Sequence, residues 1–171
     1  PYKCLVGFGL AGDELHFPPK LFIKTFDMLK EAKFPITVHA GEWDGPERIR
    51  DAISLLHPTR LGHGVRSIED QALVDQIKEL DIVLETCPTS NIATKIYNSY
   101  DNHPVKKLFD QNVKITVNSD DPPFFNASIA GEYDVMKNLG LSDDELKSLT
   151  TNAIEHAFCD ENIKLKLLNK I

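Results

Sequence analysis

Four short apolar runs in this chain each stop at a compact group of polar side chains, and the segments between them carry helical periodicity. The runs lie at 5-9, 36-39, 82-86 and 113-118, with Thr59-Arg60-Leu61 as a weaker fifth. Strands that alternate with helices predict a parallel sheet, because each return in the same direction needs a crossover. Pro18 and Pro19 open a helix that runs to about Lys33, with Phe22, Phe26 and Leu29 on one face. Pro46 opens the next, where Ile49, Ala52, Ile53 and Leu56 follow the i, i+3, i+4, i+7 rule, and Pro58 closes it. Ser67 and Asp70 stand in capping-box positions ahead of a third helix, whose stripe is Leu73, Val74, Ile77 and Leu80. Further on, 97-102 reads as a surface loop and Val105, Leu108 and Phe109 suggest a short helix. After Pro122 and Pro123 the pattern is all helical, through 128-139, a Ser142-x-x-Glu145 capping box and a last segment near 160-170.

At 171 residues, with no linker or low-complexity tract, the chain reads as one domain. Its net charge of −7 argues against nucleic acid or an anionic membrane as main partner, since both need a basic surface. No stretch approaches the ~18 to 20 apolar residues of a membrane span. Cys4, Cys87 and Cys159 are odd in number and widely spaced, which favours neither a disulfide framework nor a thiolate zinc site, and makes a reducing cytoplasmic setting the expectation. The chain starts at Pro1 and reads as strand almost at once, as though entered in mid-domain.

A parallel sheet of this kind is either an open doubly wound α/β sheet or part of a (β/α)8 barrel, and in both the ligand gathers at the C-terminal ends of the strands. His39 ends one strand, where a neutral imidazole can bind Zn²⁺; a lone histidine there is more often a hydrogen-bonded structural group. Ala40-Gly41 turns Glu42 into the same pocket, where partial desolvation would raise its pKa and suit it to general acid work. His63, between two glycines, suits a general base or an orienting group, or is simply a loop histidine. Asp120 and Asp121 set like charges side by side, tolerable if a metal takes one and a ligand proton the other, or if they cap a helix before Pro122. Cys87 reads as structural, with Ser90 and Asn91 fixing the loop through side-chain to backbone bonds. The Gly9 to Glu14 turn is only superficially a phosphate loop. In combination these residues fit metal-assisted hydrolysis.

Gly9-Leu10-Ala11-Gly12-Asp13-Glu14, Thr37-Val38-His39-Ala40-Gly41-Glu42, Arg60-Leu61-Gly62-His63-Gly64, Cys87-Pro88-Thr89-Ser90-Asn91 and Val117-Asn118-Ser119-Asp120-Asp121-Pro122 together resemble the adenosine deaminase family of metal-dependent amidohydrolases. The resemblance implies a TIM-type barrel holding one Zn²⁺, and a reaction in which water activated by the metal attacks C6 of the purine. Adenosine and 2'-deoxyadenosine would lose ammonia, adenosine giving inosine. It implies His39 and Asp120 as zinc ligands, Glu42 as proton donor to purine N1 and His63 as an aid to deprotonating the water. Asp121 would bond N7 and the N–H of Gly12 would reach N3.

Two features depart from the family pattern. Gly9 stands where many members carry Asp, and the His-x-His that supplies two zinc ligands at the first barrel strand is missing from the sequence. By the family's order this chain is a partial (β/α)8 barrel holding strands four to eight plus C-terminal helices, that is, the C-terminal part of one domain. Strands one to three would lie on an N-terminal half of the same protein, or on a separate chain. Alone, the polypeptide would expose a sheet edge, hold zinc through at most two protein ligands and show no deaminase activity. The alternatives are a deaminase of adenine or of a modified adenine nucleotide, and a non-catalytic barrel relative acting as a binding protein.

Overall fold

In the computed structural model, which describes residues 4–171, five parallel strands form one sheet. They are β1 (Phe8–Leu10), β2 (Ile36–Ala40), β3 (Arg60–His63), β4 (Val83–Thr86) and β5 (Ile115–Val117). Their spatial order follows their sequence order, β1-β2-β3-β4-β5. A doubly wound sheet reverses strand order at a switch point, whereas a barrel adds each strand beside the last. The strictly sequential order therefore decides for a segment of a barrel.

Between the strands run α1 (Ile23–Glu31), α2 (Pro46–Leu56), α3 (Gln71–Glu79), then α4 (Pro88–Ala93) and α5 (Val105–Asp110) in one crossover. After β5 come α6 (Pro122–Phe125), α7 (Ile129–Asn138), α8 (Asp143–Glu155) and α9 (Glu161–Leu168). Period-2 alternation sorts the strand residues. Val38, Ala40, Leu61, Leu84 and Ile115 face the helices and form one core with Ile49, Leu56, Leu73 and Ile77. Thr37, His39, Arg60, Gly62 and Glu85, which are register partners or alternate with those core residues, occupy the other face. That face is polar: Thr37 Oγ1 donates to Glu85 Oε2 at 2.5 Å, and Arg60 pairs with Glu85 at 3.0 Å while stacking on Phe158.

Several elements differ from the sequence expectation for local reasons. The first strand begins at Phe8, because its ladder starts with Ile36 and residues 4 to 7 meet no strand partner; Leu5 and Val6 are exposed. The helix expected from Pro18 divides into a 3-10 turn at Pro19–Leu21 and α1. The Cys87 to Asn91 loop is helical from Pro88, a residue pre-set for the first helical position. Ser67 is not the N-cap of α3. It lies in a 3-10 turn, Val65–Glu69, while Asp70 caps the helix by accepting from Leu73 N–H at 3.2 Å. The box at Ser142 and Glu145 forms in full.

The capping assignment is tested by paired substitutions. Asp70→Ala should lower the urea midpoint, since the cap and the Arg50 ion pair are lost together. Ser67 Oγ is buried with no hydrogen-bond partner among the described residues, so Ser67→Ala removes an unpaired polar group and should leave stability unchanged or raise it. Urea unfolding of both variants reads the difference.

Candidate active site

His39, Glu42, His63 and Asp120 arrive at the C-terminal rim from three strands, His39 within β2, Glu42 just beyond it, His63 ending β3 and Asp120 following β5. His63 and Asp120 both hold left-handed backbone, at φ 60° and 54°. For residues other than glycine that conformation costs roughly 1 to 2 kcal/mol, so surrounding structure must impose it. The bends turn the two side chains together. His63 Nε2 faces Glu42 Oε2 at 3.4 Å and Asp120 Oδ2 at 3.8 Å, and the His39 and His63 rings meet edge to face, centroids 5.2 Å apart. A cavity of about 380 Å³ opens here, lined by His39, His63, Glu85, Cys87 and Asp120.

Glu42 is placed by a carboxylate distant in sequence. After β2 the chain turns at Gly41, φ 77°, where a Cβ would also strike Ile49 Cδ1 at 2.3 Å. The turn aims successive N–H groups inward at Glu14, which is buried and accepts from Gly41, from Glu42 at 3.1 Å, from Trp43 at 2.7 Å and from Asp44 at 3.1 Å. Converging N–H dipoles of this kind stabilise a buried anion. The Glu42 carboxyl itself is raised to about 7, chiefly by burial, then by the negative charges of Asp120 and Glu14. It is thus an acid poised near neutrality. His63 goes the other way, to about 4, because burial and the adjacent His39 ring both oppose its protonation. It is neutral at physiological pH.

Two side chains have the donor chemistry of a zinc-class site. His39 Nδ1 lies 3.2 Å from the Leu10 carbonyl, which can only accept, so Nδ1 carries the proton and Nε2 keeps its lone pair. Ser90 Oγ donates to Asp120 Oδ2 at 2.6 Å, leaving Oδ1 available. An imidazole nitrogen and a carboxylate oxygen have the chemistry to fit such a cation, and would make two of the four ligands its site takes. His63, Cys87 and Asp120 also bring ligand atoms within 4.8 Å of one another. Burial and surrounding carboxylates push the Cys87 thiol strongly up, so the thiolate a metal needs is disfavoured.

The other expected site residues stand apart. Gly12 lines a neighbouring cavity of about 300 Å³ together with Leu10, Glu14, Phe22 and His39. Asp121 is exposed at the start of α6, where its carbonyl accepts from Phe124 and Phe125 N–H, and it lines neither cavity. Ser90 and Asn91 do more than brace their own loop: Ser90 grips Asp120, and Asn91 lies between His63 and His103. Glu14, Asn91 and His103 carried no sequence signal for these contacts, because each partner is 12 or more positions away.

Residues 2–171 match the family profile described as adenosine deaminase. Over 168 residues, 98% of this chain, the sequence is 43% identical to an adenine deaminase of Sinorhizobium medicae, covering 52% of that protein. The fold resembles that of an adenine deaminase from Arthrobacter aurescens, with a TM-score of 0.92 at 30% identity over 96% of this chain and 51% of that one. An amidohydrolase from Burkholderia ambifaria, solved with bound Zn, gives a TM-score of 0.85 at 27% identity over 92% of this chain and 45% of that one. The chain spans about half the length of the curated relatives it matches.

Two measurements test the electrostatics of the rim. The fold favours the neutral Glu42 carboxyl, so its contribution is intact below the ordinary value of 4.5 and is lost as pH rises through about 7. In metal-free protein, Glu42→Gln should match the parent at pH 4 and exceed it at pH 8 by roughly 2 to 3 kcal/mol in urea unfolding. Glu14→Gln puts a donor against the N–H groups of Gly41 to Asp44. It should cost about 2 kcal/mol or more and, in hydrogen exchange, remove protection from those four amides first.

Proposed function

This chain belongs to the adenosine deaminase family, and on that premise we propose that the complete protein hydrolyses the exocyclic amino group from an adenine ring, with free adenine as substrate. The observation that carries the reading is the meeting of Glu42, His63 and Asp120 at one rim, with a carboxyl held near neutrality beside a neutral imidazole. Support for adenine over adenosine comes from relatives about 43% identical that are named adenine deaminases.

In this reading water adds at C6 while Glu42 gives its proton to N1, which relieves the negative charge that addition would otherwise leave on the ring. Loss of ammonia then leaves the 6-oxopurine, so adenine and water become hypoxanthine and ammonia. His39 and Asp120 would hold a zinc-class cation, with further ligands from residues outside this chain. When bound, such a cation would supply the charge that lowers the pKa of water towards neutrality. Glu14 keeps the Glu42 backbone fixed, and Ser90 keeps Asp120 turned to the cation. The N–H of Gly12, which lines the neighbouring cavity, would meet purine N3, and the exposed Asp121 would have to turn its carboxyl in from the start of α6 and act as a donor to meet N7. By itself this chain provides only part of the ligand set and should be inactive.

Zinc-loaded full-length protein should turn over adenine with a kcat/KM at least about 10²-fold above that for adenosine or adenosine monophosphate. Glu42→Ala should retain zinc and lose about 10²-fold or more in kcat. Equal inertness towards all three compounds with zinc bound would refute a deaminase and favour a binding protein of the same fold.

A further inference from the structure

Behind His63, away from the cavity, a line of hydrogen bonds has only one consistent direction. The N–H of Val105 donates to His103 Nδ1 at 3.1 Å, so that nitrogen must carry a lone pair and the His103 proton sits on Nε2. His103 Nε2 in turn lies 3.0 Å from Asn91 Oδ1, and a protonated nitrogen can only donate there. This fixes the Asn91 amide, whose NH₂ is left pointing at His63 Nδ1, 3.3 Å away. His63 Nδ1 therefore accepts, and its proton lies on Nε2, the nitrogen facing Glu42 and Asp120. All three side chains are buried, with His63 1%, Asn91 0% and His103 2% exposed, so water does not compete for these bonds. Val105 begins α5, whose first-turn N–H groups have no partner within the helix. One of those free donors sets the direction of the whole line.

We infer that Asn91 and His103 are positioning residues that lock His63 into the tautomer with Nε2 protonated, so that His63 meets the reacting groups as a hydrogen-bond donor. The backbone at Val105 enforces this choice through two side chains, without any charged group. The consequence alters the part expected for His63. A neutral ring whose Nδ1 is occupied by Asn91 and whose Nε2 already holds a proton has no free lone pair to take one from water. It can instead donate to a carboxylate or to an oxygen at the site. Only the kinetic consequence rests on the deaminase reading; the tautomer does not.

The test is nitrogen-15 NMR of imidazole-labelled full-length protein, zinc-free and zinc-loaded, with the His63 signals identified by their loss in His63→Gln. The parent should show Nδ1 bare and Nε2 protonated in both states. Asn91→Asp places an acceptor against both rings and should move the His63 proton to Nδ1 while leaving His103 unchanged, and an intact His103 signal reports that the fold survives. His103→Gln keeps a donor against Asn91 and should preserve the parent tautomer. With adenine as substrate, Asn91→Asp should lower kcat about 10²-fold with KM within about threefold, whereas His103→Gln should keep kcat within about threefold of the parent. A parent with Nδ1 protonated, or an Asn91→Asp variant with an unmoved proton, overturns the inference, as does an inverted tautomer with unchanged kcat. If the tautomers behave as expected and the parent turns over no adenine compound, the deaminase reading fails and the positioning role stands.

Discussion

The parallel pairing of β2 with β3 sets His39 opposite Gly62, and the rim depends on that register. A Cβ at Gly62 would come within 2.7 Å of the His39 ring, so only glycine leaves room for the imidazole to lie across the neighbouring strand. A slip of one residue would turn His39 towards the helices and bring Val38 or Ala40 to the rim, exchanging a polar for an apolar face. Burial of Val38, Ala40 and Leu61 in the core opposes any such slip. The same packing that stabilises the sheet thus fixes the position of a metal-type side chain.

Around this frame the structure gathers negative charge. Glu14, Glu42 and Asp120 all lie near one another, and like charges at short range need compensation. Each is met differently. Glu14 is surrounded by backbone N–H groups, Glu42 retains its proton to about pH 7, and Asp120 is bonded by Ser90 with one oxygen left for a cation. Three carboxyl groups of similar intrinsic acidity acquire three chemical characters from their surroundings alone. That separation makes proton donation and metal ligation possible side by side.

How much of this was legible in the chain depends on the distance over which each signal acts. The strands and helices were visible because hydrophobic period and proline punctuation are local, as the α2 stripe from Ile49 to Leu56 shows. His39, Glu42, His63 and Asp120 were visible as polar residues ending apolar runs. Boundaries were less so: Ser67 and Asp70 both satisfy the capping pattern, and only the path of the 3-10 turn gives the cap to Asp70. The partners of Asn91 and the role of Glu14 had no local trace, since nothing near residue 14 announces the turn that meets it 27 positions later.

The alternating α/β order, the polar endings of the strands and the residue types available for hydrolysis follow from the amino-acid order, because spacing and side-chain chemistry are properties of neighbours along the chain. Hydrophobic pattern left a barrel segment and a doubly wound sheet both open; the family resemblance implied the barrel, and the strand order, a relation between distant segments, decided it. Tertiary structure alone assigned protons: to Glu42 through burial among carboxylates, and to His63 through a line of bonds running back to the Val105 N–H. Where a proton resides depends on solvation and on the direction of each hydrogen bond, and both are set only when residues far apart in sequence pack together.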